Sequence, residues 1–164
     1  MARCHIFSQV SWHLVESTTS GGPPRVIVDG RAYMVGRGDP GTTVDGLCEN
    51  NCLIDSLMQC LGIHTSCRDV RRDLLTEFAS ASGRARVAMH SYLDVEAHGR
   101  SIVRSLFFHN TNNLPPTCNV DDFYIVALSA NNIGHGTTVG RRGAPYTLVV
   151  LNHHDMHFDP CIAV

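Results

Sequence analysis

The sequence predicts a single α+β domain in which a small central β-sheet is packed by helices. Three observations indicate this class: residues 1–44 are rich in strand and hairpin signals, the middle of the chain carries apolar residues at helical spacing, and the last third returns to continuous apolar runs. With 164 residues, of which 43% are hydrophobic, the chain can bury one core, so we expect one domain over residues 1–164.

The N-terminal part contains a strong hairpin signal. Arg25–Val28 and Arg31–Val35 flank an Asp-Gly pair, which suits a two-residue turn because both residue types tolerate positive φ. Another strand is predicted within residues 6–15, and a glycine-rich loop is predicted over residues 36–46.

Helical spacing dominates the middle of the chain. A first helix is predicted to begin at Cys52 and to end at Gly62, a second to run from residue 66 or 67 to about residue 81, and a third to lie within residues 95–108. Continuous runs of β-forming residues predict buried strands over 123–128 and 146–151, and the glycine-rich residues 131–143 between them predict a loop.

Charge and composition exclude several classes of function. The net charge is -2 and the isoelectric point is near 6.5, so we expect neither nucleic-acid nor membrane binding. No apolar run approaches the ~20 residues that span a bilayer. Residues 1–7 lack the apolar core of a signal peptide, and the seven cysteines are an odd number, which favours reduced thiols in the cytoplasm.

All 13 basic residues are arginines, and the chain contains no lysine. A GC-rich genome that favours arginine codons is one explanation. Avoidance of lysine-directed modification, chiefly ubiquitination, inside a eukaryotic cell is the other, and the sequence leaves both open.

A cysteine stands at the predicted start of the first helix. Cys52 follows the polar Asn50 and Asn51 and precedes the apolar Leu53 and Ile54. The first N–H groups of a helix lack intrahelical partners and the helix dipole adds partial positive charge there, so we expect a lowered thiol pKa and a usable nucleophile. The same N–H groups can hold the oxyanion that forms when a carbonyl is attacked.

A base for this thiol is predicted near the other end of the chain. His157 and Asp159 are two residues apart, and residues i and i+2 of an extended strand point to the same side. Asp159 can then accept from one imidazole nitrogen while the other faces the thiol of Cys52. Asn152 competes for the role of third member, and the sequence leaves that choice open.

Two short segments contain the residues of this predicted site: residues 51–57 (Asn-Cys-Leu-Ile-Asp-Ser-Leu) and residues 156–159 (Met-His-Phe-Asp). Together they resemble the motifs of OTU-type deubiquitinases, which have a papain-like cysteine protease architecture. The resemblance implies a catalytic cysteine at a helix N-terminus and a histidine on a late strand, with Cys52 as nucleophile, His157 as general base and Asp159 as the group that orients it.

The same resemblance concerns the turn before the helix. It implies an oxyanion hole made by the backbone N–H groups of Cys52 and of the turn around Glu49. Cys48 offers a competing match, because Asp-Gly-Leu-Cys at residues 45–48 also fits the family's pattern. We assign the nucleophile to Cys52, since polar residues follow Cys48 and an apolar helix follows Cys52.

Ten histidines and seven cysteines also raise the question of zinc. The spacing within 48–52 and within 60–67 is loosely that of zinc ligands, but no Cys-x2-Cys pair is present, so we expect neither a metal nor a cofactor. The remaining candidates have structural interpretations. Core positions are expected for Cys60, Cys67, Cys118 and Cys161, and a solvated loop for His153 and His154. A solvated helix face is expected for Arg68, Arg71 and Arg72, and contact with an acidic patch on a partner is the alternative.

These features together predict a cysteine protease. The resemblance implies hydrolysis of peptide or isopeptide bonds after the C-terminus of ubiquitin or a ubiquitin-like modifier, with the modifier and its conjugates as partners. The expected location is the cytoplasm, in particular the host-cell cytosol of a viral or effector protein. Two other functions stay open: a Cys-His glutamine deamidase, transglutaminase-like or acyltransferase toxin, and a ubiquitin-binding module without catalysis.

Overall fold

A computed structural model of the chain describes residues 8–15, 21–39, 41, 43–44, 47–48, 50–80, 93–110 and 122–164. Across these residues the protein is an α+β fold with a curled, mixed eight-stranded sheet, a separate two-stranded sheet and three helices. The α+β class predicted from the sequence is therefore confirmed, although the main sheet is larger than expected. None of the described helices has both the length and the apolar character needed to cross a membrane.

The described strands are β1 (Ser8–Gln9), β2 (Trp12–Val15), β3 (Arg25–Val28), β4 (Arg31–Val35), β5 (Thr43–Val44), β6 (Leu47–Cys48), β7 (Phe123–Ser129), β8 (His135–Gly140), β9 (Tyr146–His153) and β10 (His157–Ala163). The eight-stranded sheet has the order β1-β8-β7-β9-β10-β4-β3-β2, in which β7 and β9 are parallel and every other pair is antiparallel. Strands β5 and β6 form the small sheet.

The large sheet curls until its two edges meet. β1 lies at one edge and β2 at the other, although only Val10 and Ser11 separate them in sequence. Three peptide steps span at most about 11 Å, so the edges have to lie close together. Across this junction Trp12 Nε1 donates to the carbonyl oxygen of His135 at 2.8 Å. The concave face encloses its own apolar core: Val10, Trp12, Val26, Val28, Tyr33, Val35, Val126, Leu128, Val149, Leu151 and Cys161.

The three helices cover the convex face. They are α1 (Cys52–Leu61), α2 (Cys67–Glu77) and α3 (Val95–His109). Strands β7 and β9 are buried on both faces, because alternate residues such as Leu148 and Val149 enter the helix-covered core and the concave core respectively. Their continuous apolar runs, read as buried strands from the sequence, are confirmed.

A polar contact joins α2 to α3. The Asp73 carboxylate accepts from the Ser105 hydroxyl at 2.6 Å and is paired with His109 Nε2 at 2.8 Å. Burial raises the pKa of Asp73, but these hydrogen bonds and the nearby charges outweigh it, so the pKa lies below its usual value.

Local sequence signals correctly predicted the β3–β4 turn and the end of α1. Asp29 and Gly30 turn the β3–β4 hairpin with φ of 48° and 81°, and Gly62 ends α1 with φ of 67°. Asp94, which was not singled out in the sequence, caps α3 by accepting from the N–H groups of Glu96 and Ala97.

Two predicted loops contain strands. Residues 131–143 include β8, and the segment after residue 36 includes β5 of the small sheet. The glycines of residues 131–143 favour a loop in the sequence, but Gly136 lies within β8. A Cβ at this position would collide with the carbonyl oxygen of Ala127 on β7. This glycine therefore permits close approach of two strand backbones within the sheet.

Candidate active site

The predicted nucleophile lies at the first residue of α1, as expected, and is packed against β10. Cys52 is only 2% exposed. Its sulfur accepts a hydrogen bond from the backbone N–H of Phe158 at 3.3 Å. The thiol therefore lies against the peptide unit that joins His157 to Phe158, one residue from the predicted base.

The electrostatics of this thiol differ from the sequence-based expectation. Burial raises the pKa of Cys52 and is the largest influence on it. Hydrogen bonds involving the backbone of Phe158, Leu53 and Cys52 itself and the side chain of Asn50 act in the opposite direction but do not outweigh burial. The predicted lowering was wrong for this conformation, in which the group is a neutral thiol at pH 7.

The N–H group expected to bind an oxyanion already has a partner. The backbone N–H of Cys52 donates to Asn50 Oδ1 at 3.2 Å, and Asn50 Nδ2 donates to the Met156 carbonyl oxygen at 2.9 Å. Asn50 is 9% exposed and so connects the start of α1 to the β9–β10 turn inside the protein. Glu49, the other residue predicted for the oxyanion hole, lies outside the described residues.

A buried arginine fixes the turn before Cys52. Arg71 on α2 is 3% exposed, donates to the Asn50 carbonyl oxygen, and donates to Asn51 Oδ1 at 3.0 Å. The prediction that it belongs to a solvated helix face was wrong, whereas Arg68 and Arg72 are exposed as expected. Helical spacing alone did not reveal that the turn leading to α1 packs over this side of α2.

The predicted base and its orienting acid are in direct contact. His157 Nε2 is 2.7 Å from Asp159 Oδ1, which confirms that the two side chains share one side of β10. Asp159 Oδ1 also accepts from the backbone N–H of Gly38 at 3.0 Å. Burial raises the pKa of Asp159, but the bond from Gly38 and the contacts with the two histidines His157 and His153 lower it to below its usual value. Asp159 is therefore a carboxylate at neutral pH.

A second histidine contacts the same carboxylate. His153, the last residue of β9, has its Nε2 2.9 Å from Asp159 Oδ2. The prediction of a solvated loop residue was wrong, because β9 extends through His153 and pairs it directly with His157. The strand register creates this contact. The sequence signal that points to it is the His-x3-His-x-Asp spacing across a hairpin.

Asn152 is engaged elsewhere. Its Nδ2 donates to Asp155 Oδ1 at 2.7 Å, and its Oδ1 accepts from the Asp155 N–H at 2.8 Å. Both ends of the amide thus stabilise the β9–β10 turn. Among the described contacts Asp159, and not Asn152, bonds to the imidazole of His157.

Close packing holds α1, β10 and the segment after β4 together. The Ser56 hydroxyl donates to the Phe158 carbonyl oxygen at 3.0 Å. Gly38 passes so close that a Cβ there would collide with the same oxygen and crowd the Ser56 hydroxyl. A glycine at residue 38 therefore lets the backbone approach β10 and donate to Asp159.

The imidazoles border an open cleft of about 660 Å³. Its walls include Pro23, Pro24, Arg37, His153 and His157. The cleft gives solvent access to the histidine side of the site, whereas the sulfur of Cys52 lies beneath β10.

Three further cysteines among the described residues are free thiols: Cys60, Cys67 and Cys161. Burial raises the pKa of all three, that of Cys60 to about 12 and that of Cys67 to about 11. Cys48 ends a short strand, β6, and does not start a helix, while Cys118 lies outside the described residues. Within the part of the chain that the structure describes, no three His, Cys, Asp or Glu side chains are placed to hold a metal ion.

Comparisons with known proteins give no assignment: no family model, curated protein or solved structure matches the chain significantly.

Proposed function

We propose that the protein is an OTU-type cysteine protease that hydrolyses the peptide or isopeptide bond after the C-terminal glycine of ubiquitin or a ubiquitin-like modifier. One observation carries the proposal: the thiol at the start of α1 contacts the backbone beside a histidine that is paired with a carboxylate. A nucleophile, a base and an orienting group on two packed elements are what acyl transfer by cysteine requires.

The chemistry follows from the atoms that each residue presents. His157 Nε2 is bonded to Asp159, which leaves Nδ1 to take the proton of the Cys52 thiol. The sulfur then attacks the carbonyl carbon, the amine leaves with the proton from His157, and a thioester remains. Water attacks this thioester, releasing the modifier's carboxylate and restoring the thiol.

Catalysis requires a change from the conformation described above. The sulfur of Cys52 has to leave its contact with Phe158, and the Cys52 N–H has to be released from Asn50 if it is to bind an oxyanion. Both contacts involve residues bordering the β9–β10 turn or the turn before α1. Substrate binding in the adjacent cleft is a means of moving these segments, because hydrogen bonds of catalytic groups often tighten only in the complex.

A second function is favoured by the burial of the thiol. A cysteine that is 2% exposed and has a raised pKa is also what a ubiquitin-binding module without catalysis would contain. In that case the His153, His157 and Asp159 cluster would only stabilise the hairpin.

A ubiquitin probe with an electrophilic C-terminus separates these functions. The wild-type protein should form one covalent adduct, and Cys52→Ala should form none. Cys48→Ala is the matched control and should react like the wild type, because Cys48 does not start a helix. An adduct that persists in Cys52→Ala, or that is lost in Cys48→Ala, would refute the assignment of the nucleophile.

Absence of any wild-type adduct would refute the ubiquitin-directed protease. If a small thiol-alkylating reagent still modified Cys52 in a His157-dependent manner, the triad would serve another acyl-transfer reaction. A glutamine deamidase would then be recognised by a mass increase of about one dalton in its protein substrate, with no bond cleaved. Without His157-dependent reactivity, the non-catalytic module would be the better interpretation.

A further inference from the structure

The β9–β10 hairpin places two histidines directly opposite each other. His153 and His157 are paired residues of the antiparallel ladder, so both side chains project from the same face of the sheet. Their ring centroids are 5.7 Å apart, and the ring planes are inclined by 34°. Both side chains are more than one third exposed and both line the same cleft.

A single carboxylate, that of Asp159, forms hydrogen bonds with both imidazoles. Asp159 Oδ1 is bonded to His157 and to the Gly38 N–H, and Oδ2 is bonded to His153. The Asp159 side chain is only 15% exposed. Because three donors hold two oxygens, rotation of the carboxylate about its Cβ–Cγ bond would break contacts on both sides.

We propose that His153 is a positioning residue for the His157–Asp159 pair. It bonds to Oδ2, so that Oδ1 stays directed at His157. This inference rests on the proposed function for its catalytic meaning, but the interaction itself does not depend on the substrate.

The neighbouring polar groups of the hairpin have other partners. Asp155 in the turn is bonded to Asn152, and His154 Nδ1 is 2.6 Å from Asn131 Nδ2. Among the described contacts, Asp159 is therefore the carboxylate that bonds to both His153 and His157.

NMR of the His157 ring tests the contact without any ubiquitin substrate. The Nε2–H proton of His157 is bonded to Asp159 Oδ1, so its signal should weaken through faster exchange with water in His153→Ala, which releases Oδ2, and should be retained in His153→Gln, which keeps an N–H donor. His154→Gln is the matched control, because it removes a neighbouring imidazole that contacts Asn131. A His157 Nε2–H signal that is as strong in His153→Ala as in the wild type would overturn the inference.

Turnover gives the second readout. His153→Ala should lower kcat by roughly tenfold through loss of one charge-assisted hydrogen bond, with little change in KM. His153→Gln keeps an N–H donor near the position of Nε2 and should recover most of that loss. Equal losses in both variants would contradict positioning through the hydrogen bond. If the ubiquitin probe labels nothing while the His157 Nε2–H signal is still lost in His153→Ala, the proposed function fails and the interaction stands.

Discussion

Replacement of Asp159 by asparagine tests the centre of the proposed site, because it keeps the shape of the side chain and removes its charge. The carboxylate is 15% exposed and accepts from Gly38 N–H and from two imidazoles. An amide in its place can no longer accept at both ends, and it cannot stabilise the imidazolium that forms when His157 takes the thiol proton. Hydrogen bonds to charged groups contribute about 1.5–3 kcal/mol, so Asp159→Asn should lower kcat/KM roughly 10- to 150-fold.

The assay is the rate of hydrolysis of a fluorogenic amide at the C-terminus of ubiquitin, with Asn152→Ala measured beside Asp159→Asn. Asn152 bonds only to Asp155 in the described contacts of its side chain, so its loss should cost about 0.5 kcal/mol, roughly twofold in rate. A larger loss in Asn152→Ala than in Asp159→Asn would reverse the assignment of the third member. A loss below about twofold in Asp159→Asn would show that the carboxylate does not act on the base.

Two further substitutions probe the surroundings of the site and the stability of the helical layer. Gly38→Ala should lower kcat/KM by tenfold or more, because its Cβ would collide with the Phe158 carbonyl oxygen and move the backbone N–H away from Asp159. A displacement of about 1 Å in an active site has an effect of this order. Gly36→Ala is the control, since the nearest neighbour of its Cβ would be a proline side-chain carbon at 3.2 Å. Asp73→Asn should make the free energy of unfolding depend less on pH at acid pH. The pKa of Asp73 is lowered in the folded protein, so the carboxylate contributes its full stabilisation above the unfolded pKa of about 4. This stabilisation is lost as the pH falls through the folded pKa. Urea unfolding between roughly pH 5 and pH 3 measures this, and parallel slopes for wild type and variant would contradict it.

The parts of the site that the sequence revealed are those set by local spacing. A polar turn before an apolar periodic segment predicted that α1 begins at Cys52, and the i, i+2 relation on a strand predicted the contact of His157 with Asp159. Both depend on neighbours in the chain, as do the Asp29-Gly30 turn and the end of α1 at Gly62.

The parts of the site that the sequence did not predict depend on strand register and on how deeply side chains are buried. His153 reaches Asp159 because β9 continues to the residue that pairs with His157, which is known only once the hairpin is assembled. Arg71 is buried because the turn at Asn50 folds over α2. The pKa of Cys52 was predicted from the helix start alone, and the depth at which β10 covers the sulfur decided its direction.

The contacts that restrain the thiol converge on one short length of chain. The Phe158 N–H donates to the sulfur of Cys52, and the Phe158 carbonyl oxygen accepts from Ser56. The Met156 carbonyl oxygen accepts from the side chain of Asn50, which in turn accepts from the Cys52 N–H. Three of these four bonds involve Met156 or Phe158, which lie at the end of the β9–β10 turn and at the start of the strand that carries the base. A displacement of this segment would release the sulfur from the Phe158 N–H and break the bond from Asn50 to Met156, but the Cys52 N–H would still be bonded to Asn50 Oδ1. Because His153 and His157 border the cleft on either side of the turn, a ligand bound there would lie against the hairpin that covers the thiol, and its binding would favour conformations in which the hairpin has moved only if it contacts those conformations better.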